Sequence, residues 1–222
     1  MEYTLEHTDQ FFHVGFNKPV RILSSAILNG GSQIANHFFN FKVDENFNGE
    51  KKVFEAPDKT LANFADSKEW NGKCVGMMTA ALMSSFQRIR IEEQGVWIEV
   101  LLTSGVSNAR RAGDLADYRL MYEEAQKVGT INILVLTSAH LTEAGMVECI
   151  MMVSEAKAAC LQDLDITSRI SNKIATGTGT DSTAIVSGSG PKINYCGKHV
   201  LFGEILAKAV YLSLSKSLSS ES

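Results

Sequence analysis

The first third of the chain is patterned for strands. Phe11-Phe12-His13-Val14-Gly15-Phe16 and Pro19-Val20-Arg21-Ile22-Leu23 are short β-prone runs, and Asn17-Lys18-Pro19 between them reads as a turn. A further apolar run begins at Ile34, and Phe38-Phe39-Asn40-Phe41-Lys42-Val43 has the alternation of a half-buried strand. Pro57-Asp58-Lys59-Thr60-Leu61 then opens a helix whose apolar stripe is Leu61, Phe64 and Ala65. Val75-Gly76-Met77-Met78 fits a buried strand or a helix. Residues 86–91 and 96–102 read as two strands joined at Glu93-Gln94-Gly95, a hairpin.

The second half alternates strand with helix. Ile131-Asn132-Ile133-Leu134-Val135-Leu136 is a strand, followed by a long helix from about Thr142 to Leu161 with its cap at Thr142-Glu143. A Gly/Thr-rich segment, Ala175 to Asp181, leads into the β-prone run Thr183-Ala184-Ile185-Val186. A last helix begins near Gly197, with Leu201, Ile205, Ala209 and Leu212 as its core face. No internal repeat occurs at solenoid spacing. The pattern predicts a single α+β domain of mixed and antiparallel sheets with flanking helices, a layered sandwich over residues 1–212. A Ser-rich tail, residues 213–222, is expected to fray.

Composition narrows the function classes. The 222 residues are 45% hydrophobic, and Lys+Arg 21 against Asp+Glu 25 leaves a formal charge of −4, which excludes a strongly basic nucleic-acid footprint. No stretch approaches the roughly 18 apolar residues of a membrane span. Residues 1–7 lack the basic and apolar regions of a secretion signal. Cys74, Cys149, Cys160 and Cys196 form no C-x-x-C pair, which argues against a disulfide scaffold and a thiolate zinc site. A cytoplasmic protein with reduced thiols is expected, with no nucleic-acid or membrane partner; a homo-oligomer is left open.

Four segments have a composition that packing does not demand. Ser24-Ser25-Ala26-Ile27-Leu28-Asn29-Gly30-Gly31 ends a strand with two glycines, which form either a tight turn or a backbone cradle for a ligand. Ala175-Thr176-Gly177-Thr178-Gly179-Thr180-Asp181 exposes backbone and hydroxyls and closes on a carboxylate. It is neither a phosphate loop nor a dinucleotide fingerprint, because the required Lys and third glycine are absent. Cys196-Gly197-Lys198-His199 puts an imidazole at a helix start, where the positive helix end favours its neutral form. Last, Thr103-Ser104-Gly105-Val106-Ser107-Asn108 with Ala112-Gly113-Asp114 follows a strand, and Ser154-Glu155-Ala156-Lys157 lies on the long helix. Glu155 and Lys157 sit two apart, point to different faces, and read as solvated. His7, His13, His37 and His140 read as structural. No G-x-S-x-G elbow occurs.

Taken in order, these segments resemble the adenosylcobinamide amidohydrolase family of corrinoid salvage. The matching stretches are Leu23-Ser24-Ser25-Ala26 with Asn29-Gly30-Gly31, Gly76-Met77-Met78-Thr79-Ala80-Ala81, residues 104–109 with Ala112-Gly113-Asp114, and Gly129-Thr130-Ile131-Asn132-Ile133. They continue through Glu155-Ala156-Lys157, residues 175–181 and Gly197-Lys198-His199, so the likeness runs from about residue 20 to residue 210. Ser154 and Val200 depart from the family pattern, which has Thr at both positions.

The resemblance implies hydrolysis of the amide joining the corrinoid side chain to aminopropanol, with adenosylcobyric acid and 1-amino-2-propanol as products. It implies no protein-held metal or cofactor, since cobalt arrives inside the substrate. Such chemistry needs a nucleophile, an oxyanion stabiliser and an acid for the leaving amine. The expected catalytic pair is Asp181 and His199 acting on water, with Ser24, Ser25 or Thr180 as alternative covalent nucleophiles. Oxyanion donors are expected around Asn29, Gly30 and Gly31, or around Gly177, Thr178 and Gly179. Substrate-binding residues would be Ser24, Ser25, Asn29, Gly30 and Gly31, then Ser107, Asn108 and Glu155, then Thr178, Gly179, Thr180 and Lys198. Phe11, Phe12, Trp70, Met77 and Trp97 are candidates for an apolar wall. The alternatives are a corrinoid-binding or carrier protein without hydrolysis and, prompted by the Thr/Gly-rich loop, a self-cleaving hydrolase that exposes an N-terminal Thr.

Overall fold

The computed structural model describes residues 1–43, 56–117 and 131–219. In chain order the strands and helices are β1 (Tyr3–His7), β2 (Phe11–Ser24), β3 (Gly31–Lys42), α1 (Pro57–Ser67), β4 (Cys74–Thr79), β5 (Gln87–Glu93), β6 (Val96–Thr103) and β7 (Ala109–Arg110). Then follow β8 (Asn132–Thr137), β9 (His140–Leu141), α2 (Glu143–Asp163), β10 (Gly177–Thr178), β11 (Ser182–Ser187), β12 (Lys192–Ile193) and α3 (Leu201–Ser219). The result is the expected α+β domain: one large mixed sheet, with helices packed outside.

That sheet runs β4-β3-β2-β11-β8-β6-β5, with β1 added against β2. β3 and β4 pair in parallel, as do β11 and β8; the other pairs in this sheet are antiparallel. β7 pairs β10, and β9 pairs β12, as two small separate ladders. Side chains alternate across a strand, so the central strands feed two cores. Ile133, Val135 and Ile185 pack under α2 and α3, with Met146, Cys149, Val153, Leu206 and Val210 facing them. Leu134, Leu136, Ala184 and Val186 point the other way, onto Phe12, Val14, Phe38 and Trp97.

The second face is closed by the sheet itself. Asn40 on β3 donates to Thr103 on β6 at 2.9 Å and accepts from Asn132 on β8 at 2.7 Å, while Asn132 also donates to the Met78 carbonyl on β4. β2 and β11 separate β3 from β8 in the strand order, so these contacts require the sheet to coil until its distant strands meet. All three polar side chains are buried, and burial without such partners costs about 1–3 kcal/mol per group.

Local signals explain most elements. Pro57 sits in the first turn of α1, where its missing N–H is no loss. The Thr142 hydroxyl caps α2 by accepting from the Gly145 N–H at 3.0 Å. Gln94 and Gly95 both take positive φ (50° and 75°), the turn that joins β5 to β6. Residues 74–79 settle as a strand, buried along their whole length between β3 and α1.

Two expectations change. The turn expected at Asn17-Lys18-Pro19 is a register shift inside one long strand, β2, between Gly15 and Val20. The Asn17 N–H still reaches the Glu2 carbonyl on the β1 side, and a bulge is where a sheet tolerates proline. The frayed tail expected from Ser213 is instead helix through Ser219, with Ser213, Leu214, Ser217 and Leu218 buried. Serines are small enough to let α3 lie close to the sheet. Ser217 Oγ lies 2.6 Å from Ser104 Oγ and donates to the Ser85 carbonyl. Residues 220–222, and Gly129-Thr130 of the family-like stretch, lie outside the described residues.

Of the expected wall residues, Phe11, Phe12, Met77 and Trp97 are core and Trp70 is half-buried. Phe12, Met77 and Trp97 fill the inside of the coiled sheet, and Trp70 stacks on His13 at 3.8 Å between ring centroids. His13 also meets His37 (Nε2 to Nδ1, 3.1 Å). Burial, and then the neighbouring His37, lower the His13 pKa from 6.5 to about 4. The unfolded chain therefore takes up this proton first. The contribution to stability is complete above pH 6.5 and is lost as the pH falls through that value toward 4. Unfolding midpoints measured between pH 7 and 4 are expected to fall less steeply for His13→Gln than for the wild type; equal slopes would refute the assignment.

Candidate active site

One cleft gathers three of the family-like stretches. It encloses about 560 Å³ and is lined by Arg110, Arg111, Ala112, Asp114, Ala116, Asp117, Lys157 and residues 176–181. Its construction starts with two short strands. β7 and β10 pair so that Gly177 faces Arg110 and Thr178 faces Ala109. The Ala112 N–H donates to Thr176 Oγ1 at 2.9 Å, the Arg111 guanidinium donates to the Ile174 carbonyl at 2.9 Å, and the Ser168 hydroxyl donates to Asp114. These bonds lay the segment after β6 along the segment before β11.

Asp114 is held down to about 2, first by the Ser168 hydroxyl, with the Arg111 N–H adding to the effect. Arg110 bridges to Asp117 at 2.6 Å and to the Leu115 carbonyl at 3.2 Å. The cleft thus contains carboxylates already tied to donors.

Asp181 is the centre of the cleft. It follows the Gly/Thr loop and immediately precedes β11, the strand that links β2 to β8 in the sheet. Oδ2 accepts from the Lys157 ammonium of α2 and from the Thr178 N–H at 3.0 Å, and Oδ1 accepts from the Thr178 hydroxyl. Lys157 and Asp181 are only 12% and 13% exposed. Gly177 makes this packing feasible: a Cβ there would fall 2.3 Å from Asp181 Oδ2 and 3.1 Å from Lys157 Nζ.

The expected site residues divide. Thr178, Gly179, Thr180 and Asp181 line the cleft, and Asn108 borders it, with Nδ2 3.8 Å from where a Gly179 Cβ would stand. Ser107 lies in the turn leading to β7. Ser25 reaches the start of β11, its Oγ 3.1 Å from Ser182 Oγ and accepting from the Thr183 N–H, while Ser24 is buried at the end of β2. Neither serine lines the cleft.

Asn29, Gly30 and Gly31 form the tight turn between β2 and β3. Asn29 has φ 53° and donates to the Cys74 carbonyl at 2.8 Å, so its amide serves the fold. Glu155 and Lys198 pair with each other at the surface, 50% and 69% exposed. His199 is exposed in the turn before α3 and is not among the residues that line the cleft. The groups that the structure brings to Asp181 are Lys157 and Thr178.

Lys157 and Arg110 are what sequence reasoning missed. Lys157 reads as solvated because a single Lys on a helix usually is. Its sequence neighbours Val153, Ala156 and Cys160 are buried, which puts its stem beside the core and lets the head reach Asp181. A second cavity, about 540 Å³, lies around Lys18, Arg21, His140 and Ser187 and holds none of the expected site residues. Among the described residues, no group of three or more His, Cys, Asp or Glu side chains converges as a metal site, the four cysteines are buried and free, and no helix is long and apolar enough to cross a membrane.

Comparison with known proteins puts the chain among hydrolases that act on amide bonds. The adenosylcobinamide amidohydrolase family model matches residues 1–222, and the chain belongs to that family. A relative from Methanosarcina mazei, named adenosylcobinamide amidohydrolase, is 27% identical over 201 residues, covering 86% of each chain. An uncharacterised protein of Methanocaldococcus jannaschii is 32% identical over 158 residues; the match spans 64% of this chain and 61% of that protein. Among solved structures, the L-aminopeptidase D-Ala-esterase/amidase of Ochrobactrum anthropi covers 97% of this chain and 81% of its own at 9% identity, with a TM-score of 0.40, too low to carry an argument.

The two lysine pairs have unequal worth. Lys157→Met leaves a mostly buried carboxylate without its cation and is expected to lower stability by on the order of 3 kcal/mol. Glu155→Gln breaks only the exposed pair and is expected to cost at most about 1 kcal/mol. Urea unfolding midpoints compare the two, and equal losses would contradict this burial-based ranking.

Proposed function

We propose that this protein hydrolyses the amide joining the corrinoid side chain to aminopropanol in adenosylcobinamide, releasing adenosylcobyric acid and 1-amino-2-propanol. The reading is carried by one observation: in a chain of this family, a largely buried carboxylate, Asp181, stands in a cleft whose loop supplies hydroxyls and backbone. A cleft of about 560 Å³ suits a small-molecule group. A corrinoid is larger, so it enters by the one side chain that carries the scissile amide, and the macrocycle rests outside. Cobalt comes with the substrate as cargo, and the chain supplies no cofactor of its own. We place the reaction in the cytoplasm, with the corrinoid as the partner and neither nucleic acid nor membrane required.

Asp181 acts as the acid–base group. As a carboxylate it accepts the proton released when the carbonyl is attacked, and it returns that proton to the departing nitrogen. Lys157 and the Thr178 N–H hold its orientation. The oxyanion lies against the loop at Gly179, where a Cβ would be 3.5 Å from Arg110 Nε and 3.8 Å from Asn108 Nδ2, so two side-chain donors border that point. His199, exposed outside the cleft lining, takes no part.

Incubation with adenosylcobinamide should release 1-amino-2-propanol. Asp181→Asn is expected to lose about 10²–10⁴-fold in kcat, and His199→Ala to stay within a few-fold of the wild type. Tight corrinoid binding with no amine released would make the protein a carrier instead.

A further inference from the structure

The cleft contains a side-chain hydroxyl aimed at the Asp181 carboxylate. Thr178 Oγ1 donates to Oδ1, while Oδ2 is anchored from two directions by the Thr178 N–H and the Lys157 ammonium. One carboxylate oxygen is thus reserved for the hydroxyl. A hydroxyl nucleophile, a base within hydrogen-bond reach and a third group that orients the base form the arrangement that activates an otherwise weak alcohol. Two of the hydroxyls expected as nucleophiles, those of Ser24 and Ser25, have different surroundings. Ser25 Oγ meets the Ser182 hydroxyl and a backbone N–H, and Ser24 Oγ is buried 3.4 Å from the Ala26 N–H. Neither has a carboxylate among these partners.

We infer that Thr178 is the covalent nucleophile of this hydrolase, an inference that rests on the amidohydrolase reading above. Thr178 Oγ1 attacks the amide carbonyl carbon, and its proton passes to Asp181 Oδ1. The new C–O bond gives a tetrahedral intermediate. Its collapse breaks the C–N bond, and the Asp181 proton goes to the nitrogen, so that the amine leaves neutral. The corrinoid acyl group is now an ester on Thr178. A water molecule gives a proton to Asp181 and attacks the ester. The second collapse breaks the C–O bond to Thr178, Asp181 returns the proton to Oγ1, and the corrinoid acid departs. The sum is one water consumed and one amide cleaved. Lys157 is a positioning residue: it keeps Oδ2 occupied and Oδ1 turned to the hydroxyl through both halves.

The test uses the full chain and adenosylcobinamide. An acid-quenched early time point, digested and weighed by mass spectrometry, is expected to carry the corrinoid acyl group on the peptide containing Thr178. Thr178→Val, nearly equal in volume, is expected to lose about a thousandfold or more in kcat, the scale of removing a member of a catalytic unit. It should bind the substrate within a few-fold of the wild type and remain folded, because Lys157 and the Thr178 N–H still hold Asp181. Thr178→Ser should recover a large part of the rate. Thr178→Val that binds substrate and keeps more than about one-tenth of the wild-type kcat overturns the assignment. An acyl group mapped to Thr180, Ser24 or Ser25 overturns it as well. A wild-type protein that releases no amine defeats the amidohydrolase reading and this inference together, an outcome distinct from an active wild type with an active Thr178→Val.

Discussion

An ammonium and a carboxylate, each almost nine-tenths buried, have no good alternative to one another. Lys157 comes from the middle of α2 and Asp181 from the mouth of β11, and the pair holds helix to sheet at the point where the cleft opens. Low local dielectric makes their attraction strong and makes either one alone costly. The surrounding design serves that pair. Gly177 has no side chain because one would strike both partners. The β7–β10 ladder fixes the loop so that a backbone N–H and a hydroxyl from the same residue reach the two carboxylate oxygens.

The sheet supplies the rigidity behind this arrangement. Its central strands are buried on both faces, one by helices and one by the coiling of the sheet, so the start of β11 cannot shift without disturbing two cores. The buried bonds among Asn40, Thr103 and Asn132 specify the coiling, because these bonds form only when distant strands meet. The catalytic groups proposed above stand on this frame, and pre-set geometry is the condition for electrostatic stabilisation of a charged intermediate.

Parts of the site were visible in the chain as written. Residues 175–181 alternate Gly with Thr and end on Asp, a composition that no helix or strand requires, and they form the core of the cleft. Lys157 stood in a family-like stretch, but its contact with Asp181 was not legible there, because burial of a helical lysine depends on what docks beside it. The glycines at 30 and 31 illustrate the converse. Their composition suits a ligand cradle and a tight turn alike, and only the pairing of β2 with β3, and the Asn29 bond to Cys74, select the turn. His199 is a further case: a helix start puts an imidazole in a favourable field, but the field says nothing of which cavity that helix end faces.

By itself, the sequence determined most of the longer strands and helices, the α+β class, and the family, because period and capping act over a few residues and a family pattern is ordered along the chain. It also held the composition of the decisive loop. The tertiary structure alone decided that the Ser-rich tail packs as the end of α3, and that Lys157 and Asp181, 24 positions apart, meet in a cleft whose lining does not include His199. The physical reason is that strand register and helix docking minimise exposed apolar surface over the whole molecule, and the meeting of two side chains across it is a consequence of that global minimum.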